Sequence, residues 1–248
     1  MNESTRNLII EDTPLEKIND TVLEENNVVL FIKRDELNHR DISGNKWRKL
    51  KYNIAELKVK NIDTVLTFGG AYSNHIAATA AAGKEFGFKT IGVIRGEEYL
   101  ELNPTLQFAT DCGMRLHYMD RTTYRKKESD EVINLLRQKY GKFFLVPQGG
   151  ANIQGVKGCM EIVDDAMSGF DYLCCACGTG ATLTGIITQL KQHQTALGFP
   201  ALKNGKFLEK DIANFLAQFN SANKNWQLIL DYHFGGFAKY TNALIDFI

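Results

Sequence analysis

The sequence predicts an α/β protein with mostly parallel β-sheets. The basis of this prediction is a local pattern of strand, glycine loop and helix that occurs three times. Short apolar or β-branched runs at 64–68, 143–146 and 172–177 are each followed by a glycine-containing loop and then by a helical segment. Strands that alternate with helices of this length are typical of parallel sheets, because each crossover helix covers the sheet.

The other elements follow along the chain from hydrophobic periodicity and composition. The predicted strands are the short runs rich in apolar or β-branched residues: 28–34, 64–68, 90–94, 115–118, 143–146, 172–177 and 227–230. The predicted helices are 47–58, 75–82 with Gly83 after it, 104–110, 128–139, a segment from 152 to near 167, and one after 182 to about 192. The polar stretch 203–225 predicts a surface helix with loops.

Composition excludes several classes of protein. The chain has 248 residues, 44% of them hydrophobic and 23% charged, which is enough for one large domain or two small ones. Its 29 basic and 29 acidic residues give no bulk positive field that would gather nucleic acid or anionic membrane, so a small-molecule partner fits better. The longest early apolar run is only 28–32, which predicts neither a signal peptide nor a membrane span and therefore a cytoplasmic protein.

The five cysteines do not suggest a disulfide framework. Cys174 and Cys177 form one C-x-x-C, but a structural zinc needs a second pair of ligands, and neither Cys112 nor Cys159 has a nearby Cys or His companion. A redox pair would open a helix, whereas these cysteines lie in an apolar run. The sequence therefore predicts no metal site and inert thiols in a buried strand.

The three glycine loops are the candidate binding elements. In parallel sheets, ligands bind at the carboxyl ends of strands, where the first turn of the next helix presents unpaired N–H groups and the positive end of the helix dipole. Residues 178–182 (GTGAT) are the best phosphate cradle, because their glycines let the backbone approach closely. Ser73 and Asn74 suggest a carboxylate site, with ordinary helix capping as the alternative.

The third loop does not match the two familiar nucleotide motifs. A dinucleotide fingerprint that begins at Gly178 would need a third glycine where Leu183 stands. A P-loop that begins at Gly180 would need Lys and Ser or Thr where Ile186 and Ile187 stand. The cradle therefore predicts a phosphate ligand other than a nucleotide held by a P-loop lysine.

Lys46 is the candidate nucleophile. It follows a Gly-Asn pair and lies in a basic cluster, residues 46–49 (KWRK). Neighbouring cations and desolvation lower the pKa of a lysine amine and increase its neutral, nucleophilic fraction. The alternative is a solvated basic face at a helix start, since charged side chains are mostly exposed. A phosphorylated aldehyde cofactor would account for both the lysine and the phosphate cradle.

Four motifs occur in the order of a known enzyme family. They are residues 43–49 (SGNKWRK), 69–75 (GGAYSNH), 148–152 (QGGAN) and 178–182 (GTGAT). From about residue 11 to residue 248, the chain resembles the 1-aminocyclopropane-1-carboxylate (ACC) deaminase/D-cysteine desulfhydrase family. The resemblance implies the cofactor pyridoxal 5′-phosphate (PLP) and the tryptophan-synthase β-like fold, PLP fold type II.

The resemblance also implies a role for each matching residue. Lys46 would bind the PLP aldehyde covalently and then act as acid or base at carbon, while Lys49 would supply charge to the phosphate. Ser73 would bind the carboxylate or transfer a proton, Asn74 would hold the cofactor ring, and His75 is favoured as a residue that orients the helix start. The residues implied to cradle the phosphate are Gly178, Thr179, Gly180, Ala181 and Thr182, and those implied on the substrate side are Ser73, Asn74, His75, Gln148 and Gly149.

The resemblance implies the activity of a deaminase or lyase, so the reaction is expected to be that of a lyase or of a hydrolase. With cysteine the products would be pyruvate, sulfide and ammonia, and with ACC they would be 2-oxobutyrate and ammonia. The expected architecture is a large PLP-binding domain made of residues 1–47 and 152–248, with a small α/β domain, residues 48–151, inserted in it. We expect the cofactor cleft between the two domains and a homodimer.

Two departures from the family pattern lead to alternative hypotheses. Phe237 follows Gly235 and Gly236 where the family usually carries a tyrosine, and Tyr240 comes three residues later. Family members also continue past the position of Ile248 with a segment that supplies active-site groups, so we expect a shortened chain. The alternatives are a PLP-binding protein with little catalysis and, in another class, a phosphate- or nucleotide-binding module.

Overall fold

The computed structural model describes residue 8 and residues 12–98, 101–236 and 239–248. Its strands are β1 (Leu15–Ile18), β2 (Leu30–Lys33), β3 (Thr64–Gly69), β4 (Lys89–Arg95), β5 (Arg115–Met119), β6 (Phe144–Val146), β7 (Tyr172–Cys177), β8 (Thr195–Pro200) and β9 (Trp226–Leu228). Its helices are α1 (Thr21–Glu25), α2 (Asn45–Val59), α3 (Asn74–Phe86), α4 (Pro104–Asp111), α5 (Arg121–Tyr124), α6 (Asp130–Tyr140), α7 (Ile153–Met160), α8 (Ala181–Gln189), α9 (Leu208–Gln218) and α10 (Asn242–Phe247).

The chain divides into two compact units, residues 1–148 and 149–248. The first contains an antiparallel pair, β1 with β2, and a parallel sheet in the order β5-β4-β3-β6. The second contains a parallel sheet in the order β7-β8-β9. The predicted α/β class with mostly parallel sheets is confirmed, whereas the predicted boundaries of a large domain and an inserted domain stay a prediction.

Strand β3 is the centre of the first unit. All six of its residues are buried, as expected for a parallel strand covered on both faces. Helix α2 packs beside this sheet through Trp47, Leu50, Ile54 and Leu57, which share one apolar cluster with Val65 of β3. Each such side chain contributes about 1.5–3 kcal/mol when it is fully buried, so this cluster fixes where the start of α2 lies.

Helix α3 does not end where the sequence predicts. The prediction placed its end at Ala82 because Gly83 follows, but the helix continues to Phe86 and is closed by Gly87, whose φ is +73°. A Cβ at position 83 would lie 2.5 Å from Thr90 Cγ2 and 2.8 Å from the Phe88 carbonyl oxygen. Gly83 therefore permits close packing of the helix on β4 and does not stop it.

The second unit contains a strand that the prediction missed. Strand β8 lies between β7 and β9, although its sequence contains Gly198 and Pro200, residue types that are depleted in strands. A Cβ at position 198 would lie 2.4 Å from Leu183 Cδ2 and 2.7 Å from Leu228 Cδ2, so the sheet interior requires glycine there.

Two other boundaries differ from the prediction. Helix α7 ends at Met160 and not near Met167, and residues 165–167 form a separate 3₁₀ turn capped by the Asp164 carboxylate. Helix α8 ends at Gln189 instead of about residue 192. The surface helix predicted within 203–225 is confirmed as α9.

The prediction of core thiols in β7 is wrong for part of the strand. Cys177 is buried, but Cys174 is exposed and Cys175 is half-buried, because one face of this strand remains open. The structure forms no disulfide at any of the five cysteines, all of which lie among the described residues. The described residues contain no group of metal-ligating side chains and no helix long and apolar enough to cross a membrane.

We predict that Gly185→Ala destabilises the protein, although alanine is the better helix former by about 1 kcal/mol. A Cβ at position 185 of α8 would lie 2.6 Å from both the carbonyl carbon and Cβ of Cys159 and 2.9 Å from the Met160 backbone nitrogen, at the end of α7. Backbone atoms cannot move aside cheaply, so we expect a loss of about 1–3 kcal/mol in the free energy of unfolding.

Urea unfolding followed by circular dichroism measures this loss. The matched control is Gly169→Ala in the same unit, where an added Cβ meets nothing within 4 Å. Unchanged or increased stability in Gly185→Ala would contradict the close approach of α7 and α8.

Candidate functional site

A strained turn places Lys46 in the first turn of α2. Gly44, the residue before the helix, has φ +66°, a conformation that side chains with a Cβ rarely adopt. The buried amide of Asn38 holds this turn: its Nδ2 donates to the Gly44 carbonyl and its Oδ1 accepts from the Gly44 N–H, both at 3.0 Å. Sequence reasoning missed Asn38, because a single asparagine in a polar loop gives no signal of this double contact.

Lys46 and Asn74 line one pocket of about 490 Å³ within the first unit. Lys46 is half-buried, and its neighbours Arg48 and Lys49 are only 4% and 2% exposed. The alternative of a solvated basic face is therefore wrong for this run. The structure instead brings together two of the residues that the sequence predicted for cofactor binding.

Arg48 is neutralised within the structure by Asp35. The guanidinium Nε donates to both carboxylate oxygens, at 2.9 and 2.8 Å, and Nη2 donates to Oδ1 at 2.5 Å. The Thr13 hydroxyl also donates to this carboxylate, at 3.3 Å. A buried cation is stable only when it is paired and hydrogen-bonded, so Asp35 is what allows Arg48 to lie inside the protein.

Ser73 caps α3, and its neighbours fix its hydroxyl. The Ser73 Oγ accepts a hydrogen bond of 3.4 Å from the Ile76 N–H, which leaves its own proton available to another acceptor. A Cβ at position 69 would lie 2.8 Å from this oxygen, so Gly69 is needed for the loop to close on β3. Ser73 is half-buried and Asn74 is exposed, so both can contact a ligand.

His75 is a buried neutral residue behind this loop. Its Nε2 lies 2.9 Å from Thr67 Oγ1, whose single proton goes to the Val146 carbonyl at 2.8 Å, so Nε2 carries a proton and donates it. Burial and then the charges of Lys46 and Lys49 lower the pKa of His75 well below its usual value, while the Pro147 carbonyl acts weakly in the opposite direction. These contacts support the expected role in orienting the helix start.

Gln148 lies at the end of the first unit. It is exposed, and its Oε1 accepts a hydrogen bond of 3.2 Å from the hydroxyl of the buried Tyr124. Burial raises the pKa of Tyr124, so this hydroxyl stays protonated and remains a donor. The Gln148 amide nitrogen is left for another acceptor, which is consistent with the predicted substrate contact.

In the second unit, the predicted phosphate cradle forms the start of α8. Gly180 has φ +75°, a Cβ there would lie 2.8 Å from Ile212 Cγ1, and no side chain caps the helix. The first turn of α8, which contains Ala181 and Thr182, begins without a side-chain cap from Gly180, and the positive end of the helix dipole there favours an anion. The structure also brings the predicted substrate residue Gly149 against Thr179, since a Cβ at position 149 would lie 3.1 Å from Thr179 Cγ2.

The glycine pair near the end of the chain also has a defined conformation. Gly235 and Gly236 have φ values of +98° and +109°. Tyr240 is 77% exposed. Phe237, the departure from the family pattern, lies outside the described residues.

Comparison with known proteins identifies the family. The model of the family described as "Pyridoxal-phosphate dependent enzyme" matches residues 7–204, most of the chain. The chain belongs to this PLP-dependent enzyme family. The predicted cofactor and the prediction of an enzyme are therefore confirmed.

Individual relatives agree with this assignment. The chain is 30% identical over 235 residues to a Pyrococcus furiosus protein named provisionally as an ACC deaminase, with 88% of this chain and 71% of that protein covered. It is 32% identical over 181 residues to the bifunctional mitochondrial D-cysteine desulfhydrase/ACC deaminase of Arabidopsis thaliana, with 65% and 45% covered.

A solved structure confirms the predicted fold. The crystal structure of an ACC deaminase homologue matches with a TM-score of 0.77 and 26% identity over 96% of this chain and 79% of that one. The resemblance read from the four motifs and the expected PLP fold type II are both confirmed.

The residues present fit PLP. A primary amine, Lys46, lines a pocket together with the amide Asn74, which suits an aldehyde and the polar substituent beside it. The start of α8 suits a phosphate group, because the positive end of the helix dipole favours an anion there. The roles of the individual residues stay predictions.

We predict that the neutral state of His75 makes stability depend on pH. Its pKa is depressed in the folded protein, so below about pH 6.5, the ordinary histidine value, the unfolded chain binds a proton that the folded protein excludes. The free energy of unfolding should therefore fall with decreasing pH from about 6.5, by at most about 1.4 kcal/mol per pH unit from this group.

Urea unfolding of the wild type and of His75→Gln across this pH range measures the effect. His75→Gln should lose the part of the pH dependence of the unfolding free energy that comes from His75. The exposed His193→Gln serves as the control and should keep it. Identical slopes in the wild type and His75→Gln would contradict the buried neutral state.

Proposed function

We propose that the chain is a PLP-dependent deaminase or lyase that acts on a small amino acid, either cysteine or ACC. The observation that carries this proposal is the pocket that Lys46 and Asn74 both line, in a chain of the PLP-dependent family. The names of the relatives, ACC deaminase and D-cysteine desulfhydrase, support this pair of substrates. Family membership argues against a nucleotide-binding module.

Lys46 has the central role in the proposed chemistry. When bound, PLP withdraws electrons from the substrate α-carbon and lowers the barrier to breaking a bond there. Lys46 would hold the cofactor through its aldehyde, and its amine would take or return a proton at the substrate carbon. The clamp of Asn38 on Gly44 fixes the backbone turn just before Lys46.

The surrounding residues bind and orient. Ser73 donates its free hydroxyl proton to the substrate carboxylate or to a reacting group, and Asn74 holds the cofactor ring. Neutral His75 keeps the start of α3 in place without adding a third positive charge beside Lys46 and Lys49. The start of α8 binds the phosphate.

Both candidate reactions consume one water. Cysteine and water give pyruvate, sulfide and ammonia, whereas ACC and water give 2-oxobutyrate and ammonia. Ammonia is therefore common to the two, and sulfide marks the first alone. We also propose that the protein is a homodimer of the cytoplasm, as the family resemblance suggests, and light scattering on the purified protein measures the dimer.

Lys46 can be tested by covalent labelling. After incubation with PLP and reduction with borohydride, we expect a stable cofactor adduct on the peptide that contains Lys46, because only an amine in the pocket reacts efficiently. Mass spectrometry locates the adduct. Lys46→Ala should lose it, while Lys58→Ala, an exposed lysine on the same helix, should keep it. An adduct that persists in Lys46→Ala would refute the proposed anchor.

Ser73 can be tested against a serine with the same structural role. Ser129 caps α6 with the same 3.4 Å hydrogen bond that Ser73 makes at α3, so removing either hydroxyl should cost about 1 kcal/mol of stability. Only Ser73→Ala should also reduce kcat, by about 100-fold or more, because only Ser73 contacts the reacting molecule.

Release of ammonia, sulfide and 2-oxoacid from D-cysteine, L-cysteine and ACC measures turnover in these variants. The borohydride-stable adduct on Lys46 should be intact in Ser73→Ala. Equal kcat in Ser73→Ala and Ser129→Ala would assign Ser73 a capping role only.

A further inference from the structure

A second pocket, of about 660 Å³, lies on the other side of the Ser73 loop within the first unit. It is formed where β4 and β5 end and where α4 and α5 begin, the edge at which parallel sheets bind ligands. Its described lining includes Ala71 and Tyr72, but none of Lys46, Ser73 and Asn74. The volume is in the range of about 300–1,000 Å³ that is typical of small-molecule sites.

The charges that line this pocket are balanced. Arg95 and Arg121 supply two positive charges, and Glu97 and Glu101 supply two negative ones. In the part of the chain that the structure describes, none of the four forms an ion pair with another residue. All four are exposed, so their charges are available to a ligand. A guanidinium recognises a carboxylate, and a carboxylate recognises an ammonium group.

A hydroxyl group in the pocket also lacks a partner. The oxygen of Tyr118 is fully buried and has no hydrogen-bond partner among the described residues, an arrangement that costs free energy. Burial and the nearby charge of Glu98 raise the pKa of Tyr118, so the hydroxyl keeps its proton and can donate it. Ile94 and Leu106 supply an apolar wall beside it.

We propose that this pocket is a second ligand site that binds a small zwitterionic α-amino acid. The arginines bind the carboxylate of the ligand, and Tyr118 donates a hydrogen bond to that carboxylate. The glutamates bind the ammonium group of the ligand, and the apolar wall contacts its side chain. A simple anion would meet the two glutamates unfavourably, and a simple cation would meet the two arginines. The proposal does not rest on PLP chemistry.

The bound amino acid would lie beside the candidate catalytic loop. The Asn103 side chain caps α4 through Oδ1, which accepts from the N–H groups of Thr105 and Leu106 at 3.0 and 3.1 Å. Its Nδ2 donates to the Ala71 carbonyl at 3.1 Å, two residues before Ser73. Asn103 therefore joins one wall of the second pocket to the loop that carries Ser73.

Isothermal titration of the purified full-length protein tests the proposal, with L-alanine, glycine and L-threonine as amino-acid probes. Acetate and methylamine each carry only one of the two charges and should bind about tenfold or more weakly than the amino acids. The titrations are repeated in Lys46→Ala, which removes the amine of the first pocket. Binding that persists there and is weakened by substitutions in the second pocket belongs to the second site.

Two variants in the Lys46→Ala background assign the site. Arg121→Gln and Tyr118→Phe should each weaken L-alanine binding by about tenfold, whereas Arg125→Gln, an exposed arginine outside the lining, should leave it unchanged. Tyr118→Phe nearly keeps the size of the side chain and Arg121 is exposed, so the fold should be retained in both variants.

Four results would overturn the proposal: no binding of any amino-acid probe, loss of all binding in Lys46→Ala, equal affinity in Arg121→Gln and Arg125→Gln, or acetate binding as tight as that of L-alanine. The proposed catalytic function has a separate readout, the covalent adduct on Lys46, so either proposal can fail without the other.

Discussion

The candidate site of the first unit depends on cations held inside the protein at the start of α2. Arg48 can be buried because the Asp35 carboxylate binds it with three hydrogen bonds, and Lys49 is buried one residue later. These contacts and the apolar cluster around Trp47 fix the first turn of the helix. Lys46 then lines the pocket in a defined position, and its charge helps to keep His75 neutral.

Glycines provide the second constraint, because both candidate binding loops need backbone that comes unusually close to its neighbours. Gly69 lets the β3–α3 loop fold back on Ser73, and Gly149 lets the chain pass beside Thr179. Gly180 turns the chain into α8 with a left-handed backbone conformation. Substitution at these positions would displace the functional residues themselves, so the glycines contribute to binding by shaping the loops.

Much of the fold could be predicted because its signals are local. The buried run of β3 and the alanine-rich α3 follow from periodicity alone, and both are found. Strand β8 was missed, since Gly198 and Pro200 oppose a strand locally and only the packing of Leu183 and Leu228 around the glycine explains it. The sequence also predicted a helix end at Gly83, which is wrong. The role of Gly83 is to let α3 pack closely on β4, and no local pattern reveals that contact.

The sequence by itself determined the family and the cofactor, because four short motifs occur in a fixed order. The same motifs predict Lys46, the Ser73 loop and the residue 178–182 cradle as the site residues. Only the tertiary structure decided which distant residues support them. The clamp of Asn38 on Gly44 and the pairing of Asp35 with Arg48 each join residues that are six or more positions apart, and no sequence pattern marks these polar residues. Burial is what gives such contacts their strength, and burial is a property of the folded chain.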